Sequence, residues 1–163
     1  MSIAFAELET ATQSEVRLPR KKATRAGLLH CLVVSANAQR RAFLAEAARS
    51  AGWEVTACSE ASTASVAVTR FRQSLAIIDL AELEPGTAGT FRTLAEQLPA
   101  NSSPLVMICG AEGNALEEIW ARQLGVWLYL SGVELTCDVT GVCSEAKQVV
   151  QKLNREPAYA RTA

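Results

Sequence analysis

Five short apolar runs alternate with stretches of helical periodicity, and this alternation constrains the fold more than any other feature of the sequence. Each run is almost continuously apolar, as expected of strands that are buried on both faces of a parallel sheet. Strands that alternate with helices predict an α/β domain whose sheet is covered by helices on both sides. The predicted strands are residues 30–35, 53–58, 75–80, 104–109 and 126–130.

Local signals mark the helices between these runs. Residues 85–89 contain a proline and two glycines and predict a turn-rich loop before the third helix, which Pro99 is expected to close. The fourth helix begins like a capping box, with Asn114 followed three residues later by Glu117, and Gly125 ends its pattern. Helical spacing predicts that its buried face consists of Leu116, Ile119, Trp120 and Leu124.

Length and charge favour a single domain without a strongly charged partner. The chain has 163 residues and a net charge of −1, so it shows no strong nucleic-acid signal. No apolar stretch approaches the roughly 20 residues needed to span a bilayer. We expect a flexible arm over residues 1–28, a folded α/β domain over 29–154 and a disordered tail over 155–163. The arm contains five basic residues between Arg17 and Arg25, which predict a solvated tail or, alternatively, a small patch for an anionic partner.

Cysteine usage favours a reduced protein in the cytoplasm. The five cysteines are odd in number and form no C-x-x-C pair, so neither a disulfide framework nor a zinc site is predicted. Most of them lie within apolar runs, where a thiol behaves as a small hydrophobic group. The single histidine, His30, starts a predicted strand and is interpreted as structural.

One acid stands at a position where α/β proteins commonly place their chemistry. Asp79 follows the buried third strand, and the carboxyl end of a central strand borders the usual binding crevice of an open sheet. The corresponding end of the first strand, residues 35–37, carries no acid. Asp79 could cap the following loop, remain as a vestigial acid that tunes the fold, or accept a phosphoryl group.

In the order of its parts, the sequence resembles the receiver domain of bacterial response regulators, the phosphorelay modules of two-component signal transduction. The resemblance covers roughly residues 29–154 and is carried by three segments. Residues 76–80 resemble the strand that ends in the phosphoacceptor aspartate, and residues 104–110 resemble the fourth strand with its opening proline. Residues 123–130 resemble the helix–glycine–strand junction, with Tyr129 at the position of the switch aromatic. The resemblance implies a flavodoxin-like, CheY-like fold with strand order 2-1-3-4-5.

The same resemblance implies a phosphorylation site, most of which is absent here. Asp79 occupies the phosphoacceptor position. The acidic pair that would hold Mg²⁺ is replaced by Ser35 and Ala36, the hydroxyl position by Cys109 and the lysine position by Gly132. We therefore expect a degenerate, or pseudo-, receiver without catalytic or metal-binding residues. Mg²⁺ would be required only if Asp79 were a working phosphoacceptor, for which a substitute ligand could come from Glu82 or Glu84.

These observations predict a stand-alone, non-enzymatic signalling module that binds a protein partner, or itself, independently of phosphorylation. The resemblance implies that the surface is the face of the fourth helix, fifth strand and fifth helix, which receivers commonly use for partners, with Trp120, Trp127 and Tyr129 as anchors. Alternatively, Trp120 belongs to the core and the other two aromatics fill a corner. A first alternative function is a phosphoacceptor receiver modified at Asp79. A second is a small flavodoxin-like enzyme or nucleotide binder, although residues 110–113 lack the spacing of a phosphate-binding loop.

Overall fold

A computed structural model describes residues 28–101 and 103–155 of the protein. Nearly all of the predicted N-terminal arm and C-terminal tail lies outside these residues. Within them, strands and helices alternate strictly. The elements are β1 (His30–Val34), α1 (Ala38–Ser50), β2 (Glu54–Cys58), α2 (Ala61–Arg70), β3 (Leu75–Asp79), α3 (Pro85–Asn101), β4 (Leu105–Gly110), α4 (Ala115–Leu124), β5 (Leu128–Ser131) and α5 (Val139–Arg155).

The five strands form one parallel sheet in the order β2-β1-β3-β4-β5, which confirms the predicted fold. The central strand β3 lies between β1 and β4. Its last residue, Asp79, is in register with Cys109, and the preceding Ile78 is in register with Val34. Because parallel strands end at the same edge, the residues that follow β1, β3 and β5 meet around Asp79.

Apolar side chains from the two faces of the sheet enter two separate cores. One core contains side chains of α2, α3 and α4, represented by Ala64, Phe91 and Ala121. The other contains side chains of α1 and α5, represented by Leu44 and Cys143. Every residue of β3 is buried because this strand is covered on both sides. This two-sided burial explains why the central strands β1, β3 and β4 are almost continuously apolar rather than alternating.

Helix α3 differs from its prediction at both ends. The helix begins at Pro85, so the turn-rich loop predicted over residues 85–89 is wrong. Proline is well suited to a first helical position, because its φ is already helical and an N–H there would have no partner in the helix. At the other end, the helix continues past Pro99 to Asn101.

Helix α4 presents a different face to the core from the one its sequence predicts. Leu116 is 80% exposed and Ile119 is 51% exposed, whereas Glu117 is only 5% exposed. Trp120 and Leu124 are partly buried against the core, so half of the predicted face is wrong. The capping signals are confirmed. The Asn114 side chain accepts a hydrogen bond from the Glu117 N–H, and Gly125 closes the helix in the left-handed conformation with φ of +81°.

Within residues 28–101 and 103–155, no helix has both the length and the apolar character that spanning a bilayer requires.

A matched pair of leucine truncations tests the orientation of α4. Leu98 in α3 is 1% exposed, so we expect Leu98→Ala to lower the free energy of unfolding by about 2–5 kcal/mol. Leu116→Ala should change it by no more than about 0.5 kcal/mol, because the side chain is already in solvent. Urea unfolding of both variants measures the difference. A large loss for Leu116→Ala would show that this leucine is buried after all.

Candidate functional site

The Asp79 carboxylate is buried at the end of β3, and both of its oxygens are engaged. Oδ2 accepts hydrogen bonds from the Ser35 hydroxyl and from Arg40 Nε, each at 2.8 Å. Oδ1 accepts a second bond from Arg40, through Nη2 at 2.8 Å, and a longer one from the Ala81 N–H at 3.3 Å. The Arg40 guanidinium therefore binds the carboxylate in the bidentate geometry that makes such pairs strong and directional. The Asp79 side chain is only 2% exposed.

The start of α1 places Arg40 beside this carboxylate. The Asn37 side chain caps the helix by accepting hydrogen bonds from the N–H groups of Gln39 and Arg40. Arg40 is therefore in the first helical turn, where the helix dipole disfavours a positive charge, and this turn contains no acid. Asp79 supplies the missing negative charge. Its hydrogen bonds raise the pKa of Arg40 above the ordinary value, although partial burial opposes the shift.

A third hydrogen bond connects Arg40 to the loop between β5 and α5. Arg40 Nη1 donates to the backbone carbonyl of Val133 at 2.6 Å. One side chain thus joins the ends of three elements: it belongs to α1, binds the last residue of β3 and holds the chain just after β5. Sequence reasoning missed Arg40. The available signal was a basic residue three positions after a helix-capping asparagine, in a first turn without acids.

The positions that depart from the receiver pattern surround Asp79. Ser35 is fully buried and its hydroxyl donates a hydrogen bond to the Asp79 carboxylate, whereas Ala36 is exposed. Cys109 lies beside Asp79 in the sheet, and burial, aided by the Asp79 charge, raises the pKa of its thiol far above the ordinary value. Gly132 adopts a φ of +63° in the loop after β5 and offers no side chain to a ligand.

The residues at this edge do not fit the Mg²⁺ that the fold resemblance implies. Mg²⁺ requires oxygen ligands in octahedral geometry, usually including carboxylates. Both Asp79 oxygens instead hold a guanidinium, and Glu82 and Glu84 are exposed on the following loop. No group of three or more His, Cys, Asp or Glu side chains in residues 28–101 and 103–155 could hold a metal ion.

The groove above this site is acidic. It has a volume of about 390 Å³ and is bordered by Arg40 and three exposed glutamates, Glu82, Glu112 and Glu134. The charge of Arg40 is already balanced by Asp79. The groove therefore presents a net negative charge, which opposes the approach of a phosphorylated small molecule.

A second buried carboxylate, Glu117 in α4, explains the unexpected orientation of that helix. Glu117 Oε1 accepts a hydrogen bond from the Tyr129 hydroxyl at 3.0 Å, and Oε2 pairs with Arg92 of α3 at 3.2 Å. The Arg92 guanidinium also lies over the Trp120 ring, 5.2 Å from its centroid. Gly110 makes room for this cluster, because a Cβ there would overlap both the Tyr129 hydroxyl and the Glu117 carboxylate.

The structure separates the three aromatic residues that were predicted to form a partner face. Trp120 and Tyr129 pack against the core beneath α2, α3 and α4, and the cluster around Glu117 connects them. Trp127 packs against the opposite core, with α1 and α5. All three are partly buried. The large apolar side chains that α4 exposes to solvent are instead Leu116 and Ile119.

Comparisons with solved structures place this architecture among known folds. A response regulator receiver domain protein (CheY-like) from Methanospirillum hungatei JF-1 is 13% identical, with a TM-score of 0.64 over 80% of this chain and 99% of that one. A receiver domain protein from Clostridium thermocellum is 18% identical, with a TM-score of 0.63 over 77% and 99% of the two chains. The fold is that of a response regulator receiver domain.

A structure described as an adenylate cyclase from Rhodopirellula baltica is also similar to this receiver-like domain. It is 14% identical, with a TM-score of 0.67 over 83% of this chain and 99% of that one. No protein-family model matches the sequence, and no curated protein matches it either. At these identities the likeness shows the fold, and the chemistry of the site has to be judged from the residues themselves.

The cluster around Glu117 predicts a loss of stability at high pH. Burial, with the hydrogen bond to Glu117, raises the pKa of Tyr129 from about 10 to about 12. The folded state favours the neutral phenol, so this contribution to stability is complete below about pH 10 and is lost as the pH rises towards 12. Ultraviolet difference titration of the unmodified protein against Tyr129→Phe isolates this phenol from Tyr159, the second tyrosine in the sequence. Ionisation of Tyr129 at its ordinary pKa would contradict the buried hydrogen bond.

Proposed function

We propose that this protein is a signalling module of the receiver type that works through protein interaction and does not depend on phosphorylation. The observation that carries the proposal is the saturation of Asp79, whose two oxygens hold four hydrogen bonds within the protein. A phosphoacceptor carboxylate must present a free oxygen to the phosphorus atom. Here the guanidinium of Arg40 would have to leave before either oxygen could attack.

The surroundings of Asp79 also lack the groups that would stabilise a transferring phosphoryl group. Phosphoryl transfer depends on positioning and on positive charge around the developing transition state. Removing a single such donor typically costs about 2.7–4 kcal/mol of barrier. The hydroxyl position holds the buried thiol of Cys109, the lysine position holds Gly132, and three glutamates border the groove. These features support a domain that has kept the receiver fold without its chemistry.

The proposed interaction surface is the side of the domain formed by α4, β5 and α5. Leu116 and Ile119 are one helical turn apart on α4, and both are exposed although the sequence pattern would bury them. Neighbouring large apolar side chains that share one exposed patch are a feature of binding surfaces. Trp127 and Tyr129 lie behind this surface in and beside β5, so they would support its shape.

Phosphorylation is tested by intact-mass spectrometry after incubation with acetyl phosphate and Mg²⁺. We expect no phosphoryl adduct on the unmodified protein, because Arg40 occupies both carboxylate oxygens. Asp79→Asn serves as the control, since it removes the nucleophile from the same site. An adduct on the unmodified protein that is missing from Asp79→Asn would establish the phosphoacceptor function instead.

The interaction surface is tested by replacing its exposed apolar side chains. We expect the double variant Leu116→Ser/Ile119→Ser to weaken self-association in sedimentation velocity, or binding to an identified partner, by at least about tenfold, since buried apolar side chains are worth about 1.5–3 kcal/mol each. Val66→Ser is the matched control, because Val66 is 50% exposed on α2, a different part of the surface. An equal loss of association in the double variant and in Val66→Ser, or no loss in either, would place the interaction surface elsewhere.

A further inference from the structure

The Asp79 site contains a cation that belongs to the protein itself. The guanidinium of Arg40 contacts both carboxylate oxygens at 2.8 Å and the Val133 carbonyl at 2.6 Å, so its three donor nitrogens face two different parts of the chain. The Arg40 side chain is only 15% exposed, which leaves little freedom for another arrangement. Among the described residues, no other side chain that hydrogen-bonds to Asp79 also hydrogen-bonds to the loop after β5.

We infer that Arg40 is a built-in replacement for a bound cation, and that its bridge from Asp79 to Val133 fixes the β5–α5 loop in one position. The inference deepens the proposed function and rests on it in one respect, since it takes Asp79 to be unmodified. The loop comprises residues 132–138. It leads directly into α5 and therefore forms part of the proposed interaction side of the domain.

The loop has few other polar connections to the sheet, although the Val133 side chain is buried in the core with α1 and α5. The Gly132 N–H donates to the Gly110 carbonyl at 3.0 Å, which ties its first residue to β4. Further along, the Cys137 N–H donates to the Glu134 carbonyl at 3.0 Å, and the Glu134 N–H contacts the Cys137 sulfur at 3.4 Å, both within the loop. At its end, the Asp138 carboxylate accepts a hydrogen bond from the Gly141 N–H of α5 at 2.9 Å. Residues 134–138 are exposed. Beyond Gly132, the bond from Arg40 to Val133 is thus the main polar connection between this loop and the edge of the sheet.

The geometry requires an arginine rather than a positive charge in general. A guanidinium has five N–H donors in a rigid plane, so it can bind a carboxylate with two nitrogens and a carbonyl with the third. A lysine ammonium is a single point of charge on a flexible stem. It could neutralise Asp79 but would not hold Val133 in the same fixed geometry.

Hydrogen exchange measured by NMR on the full chain tests this bridge. We expect Arg40→Met to accelerate exchange of the Glu134 and Cys137 amides at least tenfold more than exchange of the Ile77 amide in β3, which reports on global unfolding. Arg41→Met is the matched control. Arg41 is the next residue of α1, and its guanidinium donates to the Ser35 carbonyl at 2.9 Å without contacting the loop. The control should leave the ratio of loop to strand exchange unchanged.

Arg40→Lys keeps the positive charge beside Asp79 but removes the hydrogen-bonded bridge to Val133. This variant also tests the inference if Arg40→Met does not fold. We expect the lysine variant to recover most of the melting temperature of the unmodified protein while its loop amides still exchange faster. Loop protection restored by lysine, or equal acceleration of loop and strand amides in Arg40→Met, would overturn the inference. So would slower loop exchange when Mg²⁺ is added to the unmodified protein. A phosphoryl adduct at Asp79 would refute the proposed function, whereas these exchange measurements on unmodified protein judge Arg40 alone.

Discussion

The ion pair between Arg40 and Asp79 determines how the carboxyl edge of the sheet is built. An ionised carboxylate at the end of a central strand loses its hydration, at a cost of several kcal/mol, unless protein groups replace the water. Here the replacements come from Ser35 after β1, Arg40 in α1 and a backbone N–H after β3. The position of α1 and of the chain after β5 therefore depends on the carboxylate, although neither is near Asp79 in sequence.

A second buried carboxylate is also paired with an arginine, and the consequence for the structure is different. Glu117 is buried in α4 and is balanced by Arg92, a residue of the neighbouring helix, and by the Tyr129 hydroxyl. Because Glu117 faces the core, Leu116 and Ile119 must face solvent. The first carboxylate thus arranges the loop before α5, and the second determines which side of α4 is exposed. Together they shape two adjacent parts of the proposed interaction side.

The fold could be predicted from the sequence because strand burial leaves a strong, local signal. The central strands β1, β3 and β4 are almost entirely apolar, and the alternation with helices predicts the parallel sheet, while the strand order came from the receiver resemblance. The orientation of α4 could not be predicted, because helical spacing assumes that apolar residues turn inward. Glu117 faces inward because it binds Arg92 and Tyr129, which lie 25 and 12 residues away from it in the sequence. Arg40 was missed for a related reason. Its partner Asp79 lies 39 residues away in the sequence, so the local pattern around Arg40 does not show that it binds this carboxylate.

The retention of an aspartate at the phosphoacceptor position is therefore weak evidence for phosphorylation. A buried ion pair is often no more stable than apolar side chains of similar volume, so stability alone does not explain keeping it. What the pair provides is direction, because the guanidinium donates hydrogen bonds only at fixed angles and joins Asp79 to Val133 in a single geometry. Under the proposed function, a receiver fold that works without phosphorylation still needs its loops in defined positions if a partner is to recognise its surface. The hydrogen bonds of Arg40 to Asp79 and Val133 would meet that requirement from within the protein.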